Sequence, residues 1–468
     1  MKKLSRGFDI KLLGRAENVT LNCDWPSLYA VKPPDVVGIA PIPKLSVDIG
    51  SRVRAGDSLF FDKQRPQIHF CSPVSGEVIR IGRGPKRAIT EVVVRAEAET
   101  EYKTFPVLEL ESASREDMVQ LLLDSGAWVL MRERPFNVVP NPDRTPRDIF
   151  ISCFDTAPLA ADQNVLIEGK EEAFQTGLNV LAKLTSGHVH LGVSPTSSDV
   201  FTRATAATVT SFSGPHPAGN VGIQIHHVAP INKGDVVWTI KPQDVAIIGR
   251  LFQKGIFDAK RKVAVTGPEV QRPGYIDTVL GASVEGMLKG QVARDQVRVI
   301  SGNVLTGSHI PRDGFLGLFD DQLTVIEQGN KPEFFGWLVP SYPRPSLSHS
   351  FAAFLKPKKE YAVNTNTHGC ERAFVVTGEY EKETPGLGAE INTLVFQERF
   401  RGKTFFGDDG SFQSVRILKG SGHDVSDEAH QVDGLTGATM TLNGVNAMLS
   451  DGISRYESIL SGIKSQPR

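Results

Sequence analysis

The sequence predicts a multidomain α/β protein, and three observations carry that prediction. Residues 36–95 break into short apolar runs punctuated by glycine turns. Residues 147–194 alternate strand, helix and strand, the βαβ order of a parallel sheet. Residues 262–310 hold a smaller cycle of strand, turn, helix and strand. The 468 residues suit about three domains at roughly 100–200 residues each. The expected divisions are 1–100, 101–260 and 261–330, a bridging segment over 331–382, and a final segment over 383–468.

In the first division, VDIGSRVRAGDSLF (47–60) precedes HFCSPVSGEVIRIGRG (69–84). Val53, Leu59, Val74, Val78, Ile79 and Ile81 are the apolar residues between turns at Gly50, Gly56, Gly76 and Gly84. This pattern resembles the barrel-sandwich hybrid of biotinyl and lipoyl domains. A lipoyl-type lysine sits at a hairpin tip a short, fixed distance before the Pro-Val-Ser-Gly turn. Lys63 lies too far from Pro73 for that role, so no modification is expected.

The second division should be a Rossmann-like α/β domain. Met118, Val119, Leu121, Leu122 and Leu123 give residues 116–128 a buried helical face, ended by Ser125-Gly126. RDIFISCFDT (147–156) reads as a buried strand, EEAFQTGLNVLAKL (171–184) as the following helix, and HVHLGVS (188–194) as the next strand. Residues 237–255 continue in the same style. The third division resembles a ubiquitin-like β-grasp, a docking fold more often than a catalytic one, with Ser283 as a helix cap. Residues 332–354 are rich in aromatics and proline and read either as the lining of a cleft or, more ordinarily, as a bridge between domains.

Composition excludes several functions. Lys+Arg is 52 against 53 for Asp+Glu, so there is no basic stripe for nucleic acid. Cys23, Cys71, Cys153 and Cys370 are scattered without a Cys-x-x-Cys. That excludes the usual local zinc or iron–sulfur spacing and gives no disulfide framework, which suits a reducing compartment. The start, MKKLSRGFDI, lacks the apolar core of a signal peptide, and no apolar run reaches the length of a membrane helix. His216, His226 and His227 lie close in sequence. Read as strand residues, His226 and His227 point to opposite faces, so no metal site is expected.

Seven stretches in order resemble the A subunit of the bacterial sodium-translocating NADH:quinone reductase: RGFDI (6–10), SPVSGEV (72–78), RGPKRA (83–88), RERPFNVVPNPDRTPRDIF (132–150), DTAPLAAD (155–162), SGPHPAGNVG (213–222) and SGNVLTG (301–307). The likeness covers residues 1–382. It implies a peripheral subunit on the cytoplasmic face of the inner membrane, held there by the other subunits and placed near quinone, with Trp25 and Tyr29 as aromatic candidates beside the more ordinary role of packing. NADH and quinone are then substrates of the whole complex, which exports sodium. No cofactor is expected in residues 1–382 and no catalytic residue is assigned. The segment 214–222 is not G-x-G-x-x-G, and its two prolines remove amides that a phosphate cradle needs.

From residue 383 the likeness changes. ETPGLGAEI (383–391) and DGLTGATMTLNGV (433–445) resemble the FMN-binding domain of the flavin-carrying C subunit of the same complex, as a C-terminal partial α+β segment. In that family a transferase uses FAD to attach FMN, through its phosphate, to a threonine hydroxyl. The resemblance implies Thr439 as the acceptor, within Asp433, Thr436, Gly437 and Ala438, with Thr384 and Leu387 against the flavin ring. Thr441 is the neighbouring decoy. Gly437 and Ala438 remove bulk beside the acceptor. The missing first part of that domain, and its family location across the membrane from the A subunit, weigh against FMN on Thr439. The alternatives are thus a pump subunit, a flavinylated carrier, or a docking scaffold with an inert tail.

Overall fold

The computed structural model describes residues 1–292, 294–329, 349, 352–355, 359–365, 398–407, 409, 411–418, 422, 425–434, 446 and 449–450. The chain divides into two compact units, Met1–Gly369 and Cys370–Arg468. Among the described residues no helix is long and apolar enough to cross a membrane.

The first unit begins with a strap. Strand β1 (Lys2–Lys3) pairs in parallel with Phe212 and Ser213, some two hundred residues on. The chain then runs past Tyr361 and along the edge strand at Tyr275, where Leu21 N–H donates to the Tyr275 carbonyl and Tyr275 N–H to the Val19 carbonyl. Only after that does it enter the barrel.

The barrel-sandwich domain faces two sheets across one core. Strands β2 (Leu28–Val31), β4 (Arg52–Val53), β7 (Gly76–Arg83) and β8 (Ile89–Ala96) form one, in the order β2-β8-β7-β4. Strands β3 (Lys44–Leu45), β5 (Ser58–Phe61) and β6 (His69–Cys71) form the other, in the order β3-β5-β6. Leu59, Phe60, Phe70, Val78, Val92 and Val94 are buried between them, and Phe60 stacks on Phe70 at 4.7 Å. A Cβ on Gly76 would stand 1.9 Å from the Arg95 carbonyl oxygen, so the Pro-Val-Ser-Gly turn admits only glycine there. Asp62, beside Lys63, is fully buried. Its carboxylate accepts from Ala40 N–H at 2.9 Å and pairs with Arg65 at 3.1 Å. This loop is pinned to its domain, unlike the free tip that carries a swinging arm.

The α/β domain follows. Helix α1 (Arg115–Ser125) starts at a Ser114–Asp117 capping box and ends on Gly126 in the left-handed region, where the sequence placed its stop. Strand β9 (Arg132–Arg134) leads to β10 (Asp148–Ser152), then helices α2 (Gln163–Ile167) and α3 (Glu171–Leu184), β11 (Val189–Val193), α4 (Asp199–Thr202), β12 (Thr208–Ser213), α5 (Val221–Val228), β13 (Val237–Thr239) and α6 (Pro242–Lys254). The sheet order is β1-β12-β11-β10-β13-β9, parallel except for β9. Helices α3 and α6 meet at backbone contact, since a Cβ on Gly249 would lie 1.7 Å from the Ala173 carbonyl oxygen. One expectation fails here. His226 and His227 lie on helix α5, not a strand, because Val221, Ile225 and Val228 pack at helical spacing over Phe150 and Val237. Their rings meet edge to face at 5.1 Å. Among the described residues no cluster of three or more His, Cys, Asp or Glu is placed to hold a metal ion.

The β-grasp domain has strands β14 (Lys260–Thr266), β15 (Gly274–Val279), β16 (Val297–Ser301), β17 (Ser308–Ile310) and β18 (Gln322–Glu327), ordered β15-β14-β18-β16-β17. Its helix α7 (Glu285–Leu288) is one turn long, and the Ser283 hydroxyl accepts from Glu285 N–H at 3.4 Å. In the second unit, strands β19 (Arg416–Ile417) and β20 (Gln431–Val432) pair in parallel.

Candidate functional site

Open parallel sheets bind ligands beyond the carboxyl ends of their strands, where the strand order switches direction. Here that point is between β10 and β13. The glycine-rich loop after β12 lies down onto the end of β10. A Cβ on Gly219 would come within 2.6 Å of Thr156 N. Gly219 N–H donates to Thr156 Oγ1 at 2.9 Å, and Thr156 Oγ1 is 3.2 Å from His216 Nδ1. Ser152 Oγ donates to the Gly219 carbonyl at 2.8 Å and accepts from Gln224 Nε2 at 2.7 Å. The strap closes the same loop from outside, because His216 N–H donates to Asp9 and Phe8 N–H donates to the His216 carbonyl. The amides of His216, Ala218, Gly219 and Asn220 all have partners within the chain. Those four amides are therefore already engaged and do not form a ready phosphate cradle.

The other side of the switch is filled by the β-grasp domain. Lys241, at the end of β13, pairs with Asp321 at 2.7 Å. Asp321 also takes Arg261 at 2.8 Å and Gln243 Nε2 at 3.1 Å. Burial raises the Asp321 carboxyl, but Lys241 and Arg261 outweigh it and hold the group below the usual range. Asp244 is fully buried, with Arg261 at 3.5 Å and no hydrogen bond to either carboxylate oxygen. Burial pushes its pKa up to about 6, against the pull of Arg261. Lys170 donates to Gln243 Oε1 at 2.9 Å, and burial lowers its pKa to about 8. These groups weld helix α6 to strands β14 and β18.

A pH dependence follows from Asp244. A carboxyl whose pKa is higher folded than unfolded favours the folded state most at low pH, and that contribution is lost as pH rises through about 6. At about 1.4 kcal/mol per pH unit, the loss is on the order of 2–3 kcal/mol. Asp244→Asn should therefore be more stable than the parent above pH 6 and lose the advantage near pH 4. Urea midpoints measured across this range check it; an unchanged difference between the two proteins would refute it.

Three domains of the first unit meet around a cavity of about 20 Å³ lined by Ala30, Asp35, Phe70, Leu130, Leu280 and Leu318. That is room for about one water, not a quinone ring. Tyr29 is wholly buried beside it and belongs to the core, whereas Trp25 is 57% exposed.

In the second unit only Asp433, of the residues expected to hold flavin, lies among the described ones. Thr384, Leu387, Thr436, Gly437, Ala438, Thr439 and the decoy Thr441 lie outside them. Asp433 directly follows β20. Its carboxylate accepts from Gly422 N–H at 2.9 Å and faces Arg399 at 3.8 Å. Arg399 Nη1 also donates to the Asp433 and Gly434 carbonyls, both at 3.0 Å. Beyond the motif, the Asn446 amide brackets Ile417, accepting its N–H at 2.7 Å and donating to its carbonyl at 2.9 Å. Both ends of the 433–446 segment are thus tied to the β19–β20 pair. Sequence reasoning missed Arg399 and Asn446, since neither lies within a motif.

Comparison with known proteins gives four family matches along the chain. The NqrA N-terminal barrel-sandwich hybrid domain matches residues 2–97, the NqrA second alpha/beta domain residues 113–257, and the NQRA C-terminal domain residues 262–311. An FMN-binding domain matches residues 362–454. The A subunit of the Na(+)-translocating NADH-quinone reductase of Yersinia pseudotuberculosis serotype O:1b is 39% identical over 392 residues, 82% of this chain and 86% of that one. Its counterparts in Serratia proteamaculans and Alcanivorax borkumensis are each 37% identical, over 398 and 390 residues and the same shares of the chains. Among solved structures, an NAD+-reducing [NiFe]-hydrogenase in the air-oxidized state overlaps 49% of this chain and 52% of its own at 12% identity, with a TM-score of 0.32, too low to bear on fold or function. The chain belongs to the NqrA family, the A subunits of the Na(+)-translocating NADH-quinone reductase, and it carries a match to the FMN-binding domain family in its C-terminal part.

Proposed function

We propose that the chain is a peripheral subunit of a sodium-exporting NADH:quinone reductase, held on the cytoplasmic face of the inner membrane by the other subunits and placed near quinone. NADH oxidation belongs to the rest of the complex. The observation that supports this reading is at the crest of the α/β domain, where the glycine-rich loop is tied to Thr156 and to the strap and Lys241 is paired with Asp321. A scaffold role needs surfaces; a dehydrogenase role needs that crest open. The purified chain should not oxidise NADH with artificial acceptors. Adding it to membranes whose complex lacks its NqrA component should restore sodium-stimulated quinone reduction. NADH turnover on the order of 1 s⁻¹ or more by the chain alone, in the range of ordinary enzymes, would overturn the reading.

A second reading makes the C-terminal unit a flavin carrier through Thr439. What supports it is the anchoring of both ends of the acceptor segment, by Arg399 at Asp433–Gly434 and by Asn446 at Ile417. FMN bound there would supply one-electron transfer. This chain's own part is to supply the threonine hydroxyl within a segment whose two ends are held.

A further inference from the structure

The hairpin joining β7 and β8 carries an unusual tip. Beside β8, strand β2 reaches only Val92–Arg95, and beside β7, strand β4 reaches only Gly76 and Glu77. The pairs Gly82–Glu91 and Arg83–Ile89 therefore have no third strand next to them, and the tip projects past the four-stranded sheet. Lys86 and Arg87 are consecutive non-glycine residues in the left-handed region, at φ 55° and 63°. L-residues adopt that conformation at a cost, and it persists where the surroundings impose it. Here the Gly84 N–H to Ala88 carbonyl bond at 2.8 Å closes the turn around them.

The charge at this tip is one-sided. Arg83, Lys86 and Arg87 are exposed, and among the described residues no carboxylate lies within ion-pair distance of any of them. Of the two acids on this hairpin, Glu77 faces Arg95 at 4.0 Å at the far end and Glu91 pairs with Arg80 at 2.9 Å. No large apolar side chain between residues 76 and 96 is exposed, so the tip has nothing to insert into a greasy groove. It extends beyond its neighbouring strands and is cationic, suited to touching an anionic layer.

We propose that the 83–87 tip docks on the phosphate headgroups of anionic lipids, giving the chain its own contact with the membrane surface besides those made through partner subunits. The contact is electrostatic, with each cation near such a surface contributing independently. It extends the peripheral reading above, but its test contains no other subunit, so its failure leaves that reading standing.

The test is co-sedimentation of the full chain with phosphatidylcholine vesicles containing about 30 mol% phosphatidylglycerol, an anionic surface of the kind that attracts basic segments. The Lys86→Gly/Arg87→Gly variant keeps the turn, because glycine takes the left-handed conformation without strain. It should bind about 20- to 30-fold more weakly, the loss expected for two cations. Lys233→Gln, at an exposed cation on another loop, should bind like the parent. Binding should be absent on pure phosphatidylcholine and lost near 0.5 M salt, about where screening falls to a few ångströms. Undiminished binding by the double variant would overturn the proposal. So would failure of the parent to bind anionic vesicles, which would assign the tip to an acidic protein surface. Displacement by inorganic phosphate beyond that by chloride at equal ionic strength would likewise overturn it, in favour of a small-anion site.

Discussion

Asp321→Ala should lower the unfolding free energy of the first unit by about 3–5 kcal/mol, the usual cost of stripping one partner from a buried ion pair. Arg261 is only 3% exposed, and its guanidinium would keep Asp244 at 3.5 Å and the Leu318 carbonyl at 2.9 Å as its remaining partners. Lys241 would lose its partner at 2.7 Å. The same substitution should pull the Asp244 carboxyl down toward its ordinary value, because Asp321 adds to the upward push on it while Arg261 opposes that push. Chemical denaturation followed by tryptophan fluorescence reports the loss, since Trp128 and Trp238 are buried and in edge-to-face contact at 5.2 Å. Replacing Asp244, Arg261 and Asp321 together by Leu, Met and Leu should cost far less than the single change, as apolar substitutes for buried ion clusters do. If Asp321→Ala proved no worse than a surface substitution, the weld between helix α6 and the β-grasp strands would not have the importance assigned to it.

Thr439→Ala should abolish covalent flavin entirely. Co-expressed with a flavin transferase and exported, the parent should gain the mass of one phosphoester-linked FMN and fluoresce under denaturing conditions. Thr439→Ser should keep the modification, since only the hydroxyl is needed, and Thr441→Ala should leave it intact. Arg399→Ala should reduce the modified fraction severalfold while Arg399→Lys restores part of it, because the guanidinium fixes the Asp433 and Gly434 carbonyls at the entry to the acceptor segment. An unmodified parent would reduce the C-terminal unit to an appendage. Modification surviving Thr439→Ala but not Thr441→Ala would move the acceptor by two residues.

Much of the fold was legible because its signals are local. The stop at Ser125-Gly126, the helix over 171–184 and the Pro-Val-Ser-Gly turn each depend on residues within a few positions of one another. The strap was not legible. Two lysines show no strand pattern, and β1 exists because β12 offers it an edge. Nor was the buried ion cluster, since Asp244, Arg261 and Asp321 have the composition of a solvated face until the β-grasp domain covers them. The helix bearing His226 and His227 was misread because a short apolar run suits either period. At the candidate site, the acceptor motif was legible only through its family likeness. Arg399 stood out in no motif, lying 34 residues from the Asp433 it holds.

The strap sets a constraint on biosynthesis. A ribosome delivers residues 2–21 long before their partners, Phe212, His216 and Tyr275. Throughout that interval the leading segment has no native edge to join. The barrel, whose strands lie between residues 28 and 96, can close while the chain is still growing. The α/β and β-grasp domains complete their outer edges only when residues 2–21 join β12 and β15. Contacts of such long sequence separation slow folding, and the strap cannot pair until these distant edges have been made.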